Sequence, residues 1–150
     1  MIIQKKIKKD LKDLLLNYSV DEIDMAGLEG AEKANTVDIK YSNYHTTSYE
    51  YDEANKVYKR SMSGKANVDL TTGEQYTAKN ILVYKVRNYA LNDGENKGRQ
   101  DVLTIGSLDG YYITNGKAIK IKCNKASRFE QTEYVDLNGN EIKVNDGNTY

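Results

Sequence analysis

YEYDEANKVYKRSMSGKANVDLTTGEQYTAKNILV, residues 49–83, decides the fold. Tyr49 and Tyr51 alternate with Glu50 and Asp52, Asp52 to Asn55 supply a turn, and Val57 to Met62 returns as a second strand, which is the pattern of a hairpin. A glycine turn at Gly64 and a polar connection with a second turn at Thr72-Gly73 follow, and Asn80 to Leu91 then reads as the longest strand of the chain. Its Ile81 to Tyr84 stretch is apolar on both faces, which predicts a central place in a sheet, whereas Lys85 and Arg87 face water.

Period-two patterning extends outward in both directions. Val37, Ile39 and Tyr41 oppose Asp38, Lys40 and Ser42, so the β region is predicted to begin at Val37. Asp93 to Gly98 is a polar loop, followed by Val102 to Gly106, a GSLDG turn over 106–110, and Tyr111 to Thr114. Asn115-Gly116 is the strongest hairpin signal in the chain, because both central residues of a type I′ turn need positive φ. Ile119, Ile121 and Cys123 then alternate with Lys120, Lys122 and Asn124, giving one buried and one lysine-bearing face. A last hairpin joins Thr132–Leu137 to Glu141–Val144 across Asn138-Gly139.

The N-terminal region differs. Ile3, Ile7, Leu11, Leu14 and Leu15 recur at helical spacing with Lys5, Lys8, Lys9 and Lys12 largely opposite, predicting an amphipathic helix that docks on the protein's own sheet. Asp10 and Asp13 interrupt any apolar h-region and no lipobox follows, so the segment does not read as a signal peptide, and no stretch is long and apolar enough to span a membrane. Ser19 with Glu22 forms a capping-box pattern before Ile23, while Gly27 and Gly30 break any longer helix, so residues 17–36 read as a helical turn and linker. The expected class is α+β and mainly antiparallel β: a twisted sheet or small sandwich of hairpins with an N-terminal helix, divided into residues 1–36 and a β domain over 37–150.

Composition narrows function. Twenty-two basic and twenty-two acidic residues leave no net charge, which removes the field that draws proteins to nucleic acid. The single cysteine excludes an intramolecular disulfide and any multi-cysteine metal site; at an inward strand position Cys123 is predicted to be an inert thiol. The single histidine, His45, has no second ligand at a recognised spacing, so neither metal nor cofactor is expected. Asp136 to Glu141 lacks the twelve-residue ligand spacing of a calcium loop. No phosphate-binding glycine loop, dinucleotide fingerprint, nucleophile elbow or HExxH motif occurs. Thirteen tyrosines against one phenylalanine, no tryptophan and no proline fit A/T-rich coding and strand packing, with rings buried and hydroxyls wet.

Tyr51-Asp52, Tyr58 to Arg60, Gly64 with Asp69, Thr72-Gly73-Glu74, Asn80 to Val83, Gly106, Gly110 to Ile119, Tyr134 to Ile142 and Gly147 occur in the order and spacing of one family. Over about two thirds of its length the chain resembles the C-terminal domain of the YerB-like lipoproteins, a domain of unknown function. The resemblance implies a bacterial, extracytoplasmic, membrane-anchored setting, whereas this sequence, carrying no signal peptide or lipobox, reads as cytoplasmic or as a fragment. It departs from the family in Asn67, where a histidine is usual, in Cys123, where a tryptophan is usual, and in having no counterpart of the large N-terminal domain or of a strand following Tyr150.

Arg60, Asp69 and Asn80 are polar members of the shared motif that hydrophobic periodicity leaves unexplained, and they are the candidate ligand-binding residues. The structural alternative has Asp69 and Thr71 capping a turn, Asn80 tying a strand end and Arg60 pairing across strands. The expected function is a non-enzymatic binding or interaction module for a protein or cell-envelope component, able to self-associate through an open sheet edge. The alternative is an envelope carbohydrate- or peptide-processing enzyme using carboxylate pairs such as Asp52 with Glu53 or Asp69 with Glu74.

Overall fold

The computed structural model describes residues 16–95 and 97–150. The expected N-terminal helix lies outside these residues. Strands dominate: β1 (Glu32–Lys33), β2 (Thr36–Lys40), β3 (Thr46–Asp52), β4 (Val57–Met62), β5 (Lys65–Ala66), β6 (Thr77–Ala78), β7 (Asn80–Tyr84), β8 (Arg87–Ala90), β9 (Gln100–Leu103), β10 (Gly106–Thr114), β11 (Lys117–Lys125) and β12 (Glu133–Val135). Helical geometry among the described residues is confined to a 3-10 turn at Met25–Gly27. One sheet has the order β1-β11-β10-β7 with β12 on β11, a second the order β2-β3-β4-β5 with β6 on β4, and β8 pairs β9.

The chain forms two compact units. The first, Tyr18–Val83, Tyr111–Lys120 and Lys143–Tyr150, carries the candidate residues. Its β3–β4 hairpin is the one read from the sequence, in the register Tyr49↔Arg60 and Tyr51↔Tyr58. Directly opposed residues share a face, so Tyr49, Tyr51, Tyr58 and Arg60 all project to the same side. Tyr49 and Tyr58 from one sheet meet Ile81 and Ile113 from the other, with Ala78 of β6, in a single buried core. At the β10–β11 turn, Asn115 (φ 48°) and Gly116 (φ 73°) adopt the double left-handed conformation that the Asn-Gly pair signals.

Burial of a tyrosine ring also buries its hydroxyl, which then needs a partner. Tyr58 is fully buried and donates to the Ala34 carbonyl at 2.9 Å. Its hydroxyl is therefore satisfied by backbone and not by water, contrary to the expectation for these tyrosines.

In the second unit, which holds Tyr84–Gly110 and Ile121–Ile142, β12 adds to β11 through Cys123↔Tyr134 and its neighbours, and β8 and β9 form a two-stranded ribbon. Cys123 is buried as predicted, and burial raises its thiol pKa to about 11. Asp136 accepts the amides of Asn138 and Asn140, closing the turn that follows β12.

Four local readings are corrected. Ser19 does not cap a helix: its amide donates to Val144, the 3-10 turn is capped by Asp24, and Glu22 turns instead to lysines. The β region begins before Val37, because β1 pairs Glu32 and Lys33 with Ala118 and Lys117. The stretch from Asn80 to Leu91 is two strands, β7 and β8, parted at Lys85-Val86. Finally GSLDG opens β10, with Gly106 at φ 114° supplying the irregular residue.

The Asn115-Gly116 turn also supports packing beside it. A Cβ on Gly116 would lie 2.9 Å from Cδ1 of Tyr51, whose ring packs on Tyr58 at 5.1 Å. Gly73 has the same φ of 73° with open space around it. Both alanine substitutions strain the backbone, but only Gly116→Ala overpacks, so it should destabilise by about 1–3 kcal/mol more than Gly73→Ala. Urea midpoints measured side by side check this, and equal shifts would refute the close approach.

Candidate functional site

Arg60 occupies the β4 position that alternation assigns to the core side, opposite Tyr49. Its backbone is held on both flanks: its amide donates to Tyr76 O at 2.9 Å, and its carbonyl accepts from the Asn67 amide at 3.0 Å and from Gln75 Nε2 at 2.8 Å. The 67–76 segment thus folds back against β4 as a small hairpin, bridged at Val68↔Gln75. The Arg60 guanidinium donates through Nη1 to Asn67 Oδ1, and its carbon lies 5.6 Å from the ring centroid of Tyr150. Nε is enclosed and has no acceptor. Among the described residues no carboxylate lies within ion-pair distance of Arg60.

Asp69 stands at the hairpin's turn. One oxygen accepts the amides of Thr71 (2.8 Å) and Thr72 (2.9 Å), and the other accepts the Tyr76 hydroxyl at 3.1 Å. The Thr72 and Thr71 amides, then the Tyr76 phenol, hold its carboxyl below the usual range, while Asp69 pushes the Tyr76 phenol up. Burial raises the Tyr49 phenol, and the neighbouring Arg60 pulls it back. Asp69 is therefore a fixed anion that shapes the turn, as the structural alternative anticipated.

Asn80 belongs to a different cluster. It is fully buried, and its Nδ2 donates to Asn145 O (2.7 Å) and Thr149 Oγ1 (3.2 Å), while its Oδ1 accepts from the Tyr112 hydroxyl at 3.0 Å. That hydroxyl accepts the Asn145 amide at 2.9 Å, and Asn145 Nδ2 donates to Thr114 Oγ1 at 3.0 Å. The backbone continues the link: Asn80 N donates to Asn148 O, Tyr150 N to Asn80 O and Leu82 N to Tyr150 O, so 148–150 runs parallel to β7. This pairing occupies β7 along Asn80–Leu82. Tyr150 thus links Asn80 to the Arg60 surface.

The sequence missed Tyr76 and Tyr150. Both are separated from Arg60 along the chain, and only the fold-back of 67–76 and the parallel pairing of 148–150 bring them in. It also missed a lysine clasp, in which Glu22 accepts from Lys56 Nζ (2.8 Å) and Lys79 Nζ (2.9 Å). Those two lysines lower the Glu22 pKa to about 2. His45 sits by the Tyr41 ring, with centroids 5.5 Å apart, and no group of metal-ligating side chains occurs among the described residues. None of their helices is long and apolar enough to cross a membrane.

The family model for the C-terminal domain of a protein of unknown function, DUF3048, matches residues 37–150. The chain belongs to this family. A solved structure, the crystal structure of YerB protein from Bacillus subtilis, matches with a TM-score of 0.67 at 20% identity, over 98% of this chain and 48% of that one. The chain therefore spans about half the length of the YerB structure it matches, and the likeness is one of fold. The search of curated proteins returns no match. The DUF3048 match covers the whole Arg60–Tyr150 constellation.

Removing one hydroxyl tests the buried cluster. Tyr112→Phe leaves Asn80 Oδ1 and the Asn145 amide without their partner, and should cost about 2–4 kcal/mol. Tyr89→Phe removes an exposed hydroxyl bonded to Asp101 and should cost far less. Chemical denaturation of the two variants is the check, and a Tyr112→Phe protein as stable as Tyr89→Phe would contradict the network.

Proposed function

We propose that this DUF3048 domain is a non-enzymatic recognition module of the bacterial cell envelope, and that its ligand lies against Arg60. One observation carries the reading: a partly buried guanidinium that lacks a carboxylate partner among the described residues and is backed by the ring of Tyr150. Placing a charge in a protein interior costs free energy unless it is paired. Contact with the Tyr150 ring offsets this by about 0.5–2 kcal/mol, which still leaves the charge available to an incoming group.

Six carboxylates, Asp52 and Asp69 among them, support recognition over catalysis. Glu22, Asp52, Asp69, Asp101, Asp109 and Asp136 are all held below their ordinary range, by lysines, by turn amides and asparagine amides or by tyrosine hydroxyls. A carboxyl serving as general acid near neutral pH needs the opposite displacement. The envelope setting is part of the proposal and is supported by the resemblance to the YerB-like lipoproteins. Self-association through a sheet edge is part of the same proposal, with β7 beyond Leu82 as the edge concerned.

The reading is tested by titrating isotopically labelled protein with soluble peptidoglycan fragments while following the Arg60 Nε–Hε resonance and the mass of the fragments. Saturable movement of that resonance with fragments left intact is expected. Time-dependent cleavage, or saturable shifts confined to surfaces away from Arg60, would overturn it.

A further inference from the structure

The chemistry around Arg60 narrows what can bind there. We infer that the ligand presents a single carboxylate attached to a flat or apolar group, an inference that rests on Arg60 being the recognition surface. Four features argue for it. The guanidinium is a planar fork whose donors match the two oxygens of a carboxylate. Asn67 gives its amide oxygen to Arg60, and its Nδ2 makes no hydrogen bond to a described residue, so a second donor stands beside the cation. Asp69 is tied into the same hairpin through the Tyr76 hydroxyl, and its fixed negative charge disfavours a dianion such as a phosphate monoester. Tyr76 and Tyr150 remain 39% and 45% exposed, and Val68 41%, which supplies ring and aliphatic surface for the group that carries the carboxylate.

A neutral sugar could stack on these rings, but it would leave the arginine charge unmatched. A carboxylate answers both needs. Two sources share that chemistry: a free small carboxylic acid, and a carboxylate within a peptide, at its C-terminus or on an acidic side chain.

The test uses the whole chain and four probes: N-acetyl-phenylalanine, its C-terminal amide, phenyl phosphate, and a short unstructured peptide ending in phenylalanine with a free carboxylate. Binding is read by isothermal titration calorimetry, and saturable movement of the Arg60 Nε–Hε resonance locates it in the proteins that keep Arg60. The two carboxylates should bind at least tenfold more tightly than the amide and than phenyl phosphate, and the tighter of the two identifies the source. Arg60→Gln should lose at least tenfold in affinity. Should Arg60→Gln fail to fold, Asn67→Asp serves in its place: it sets a carboxylate against Arg60 inside the protein and should weaken binding by a similar factor while keeping the melting temperature. Equal binding of acid and amide, tighter binding of phenyl phosphate, or unchanged affinity in a folded Arg60 or Asn67 variant would overturn the inference. So would the absence of binding by all four probes. Movement of the Arg60 resonance with peptidoglycan fragments but with none of these probes would overturn the carboxylate assignment while leaving the recognition surface standing.

Discussion

The hydroxyl of Tyr112 is the point on which the first unit depends. It donates to Asn80 and accepts from the Asn145 amide, and both asparagines are buried with it. In a low-dielectric interior such groups stabilise one arrangement because every alternative leaves a donor or acceptor unpaired. Three separate stretches of chain meet there: the start of β7, the end of β10 and the segment from Val144 onward. Asn145 adds a fourth by exchanging hydrogen bonds with the backbone of Ile23, accepting at 2.6 Å and donating at 3.3 Å.

The candidate site inherits its geometry from this network. With Asn145 fixed, residues 148–150 lie parallel to β7 and Tyr150 is carried over Arg60. On the other flank the 67–76 hairpin brings Asn67 to the guanidinium. Arg60 itself is rigidly set by β4, whose register places it opposite Tyr49. The surface is thus assembled from a strand, a fold-back hairpin and a parallel segment, each held by backbone hydrogen bonds. Such preorganisation lowers the ordering cost of binding.

The sequence discloses the parts of this fold that rest on local chemistry. Alternation of Tyr49, Tyr51 and Tyr58 and the Asn115-Gly116 pair are local signals, and the β3–β4 hairpin and the β10–β11 turn follow from them. So does the inward place of Cys123. The capping box at Ser19 does not form: the Ser19 amide that Glu22 would accept donates to Val144 O, and Glu22 accepts from Lys56 and Lys79 instead. GSLDG carries the glycine signal of a turn, whereas in β10 the first of its glycines only provides an unusual φ. Arg60, Asp69 and Asn80 stood out as polar residues without a periodic reason, but their division into a surface and a buried tie depends on contacts far apart in the chain. Asn80 and Asn145 are 65 residues apart, and no pattern in either neighbourhood points to the other.

Native-state hydrogen exchange tests most directly whether the Tyr112-centred network holds the first unit together. The amides of Asn145, Asn80 and Leu82 should exchange only through global unfolding, with protection equal to that of the β3–β4 core, because releasing any of them breaks the shared cluster. Exchange of Asn145 or Leu82 by local opening, at rates far above those of Tyr49 and Tyr58, would show that the 144–150 segment comes away by itself and that the network does not hold the unit together.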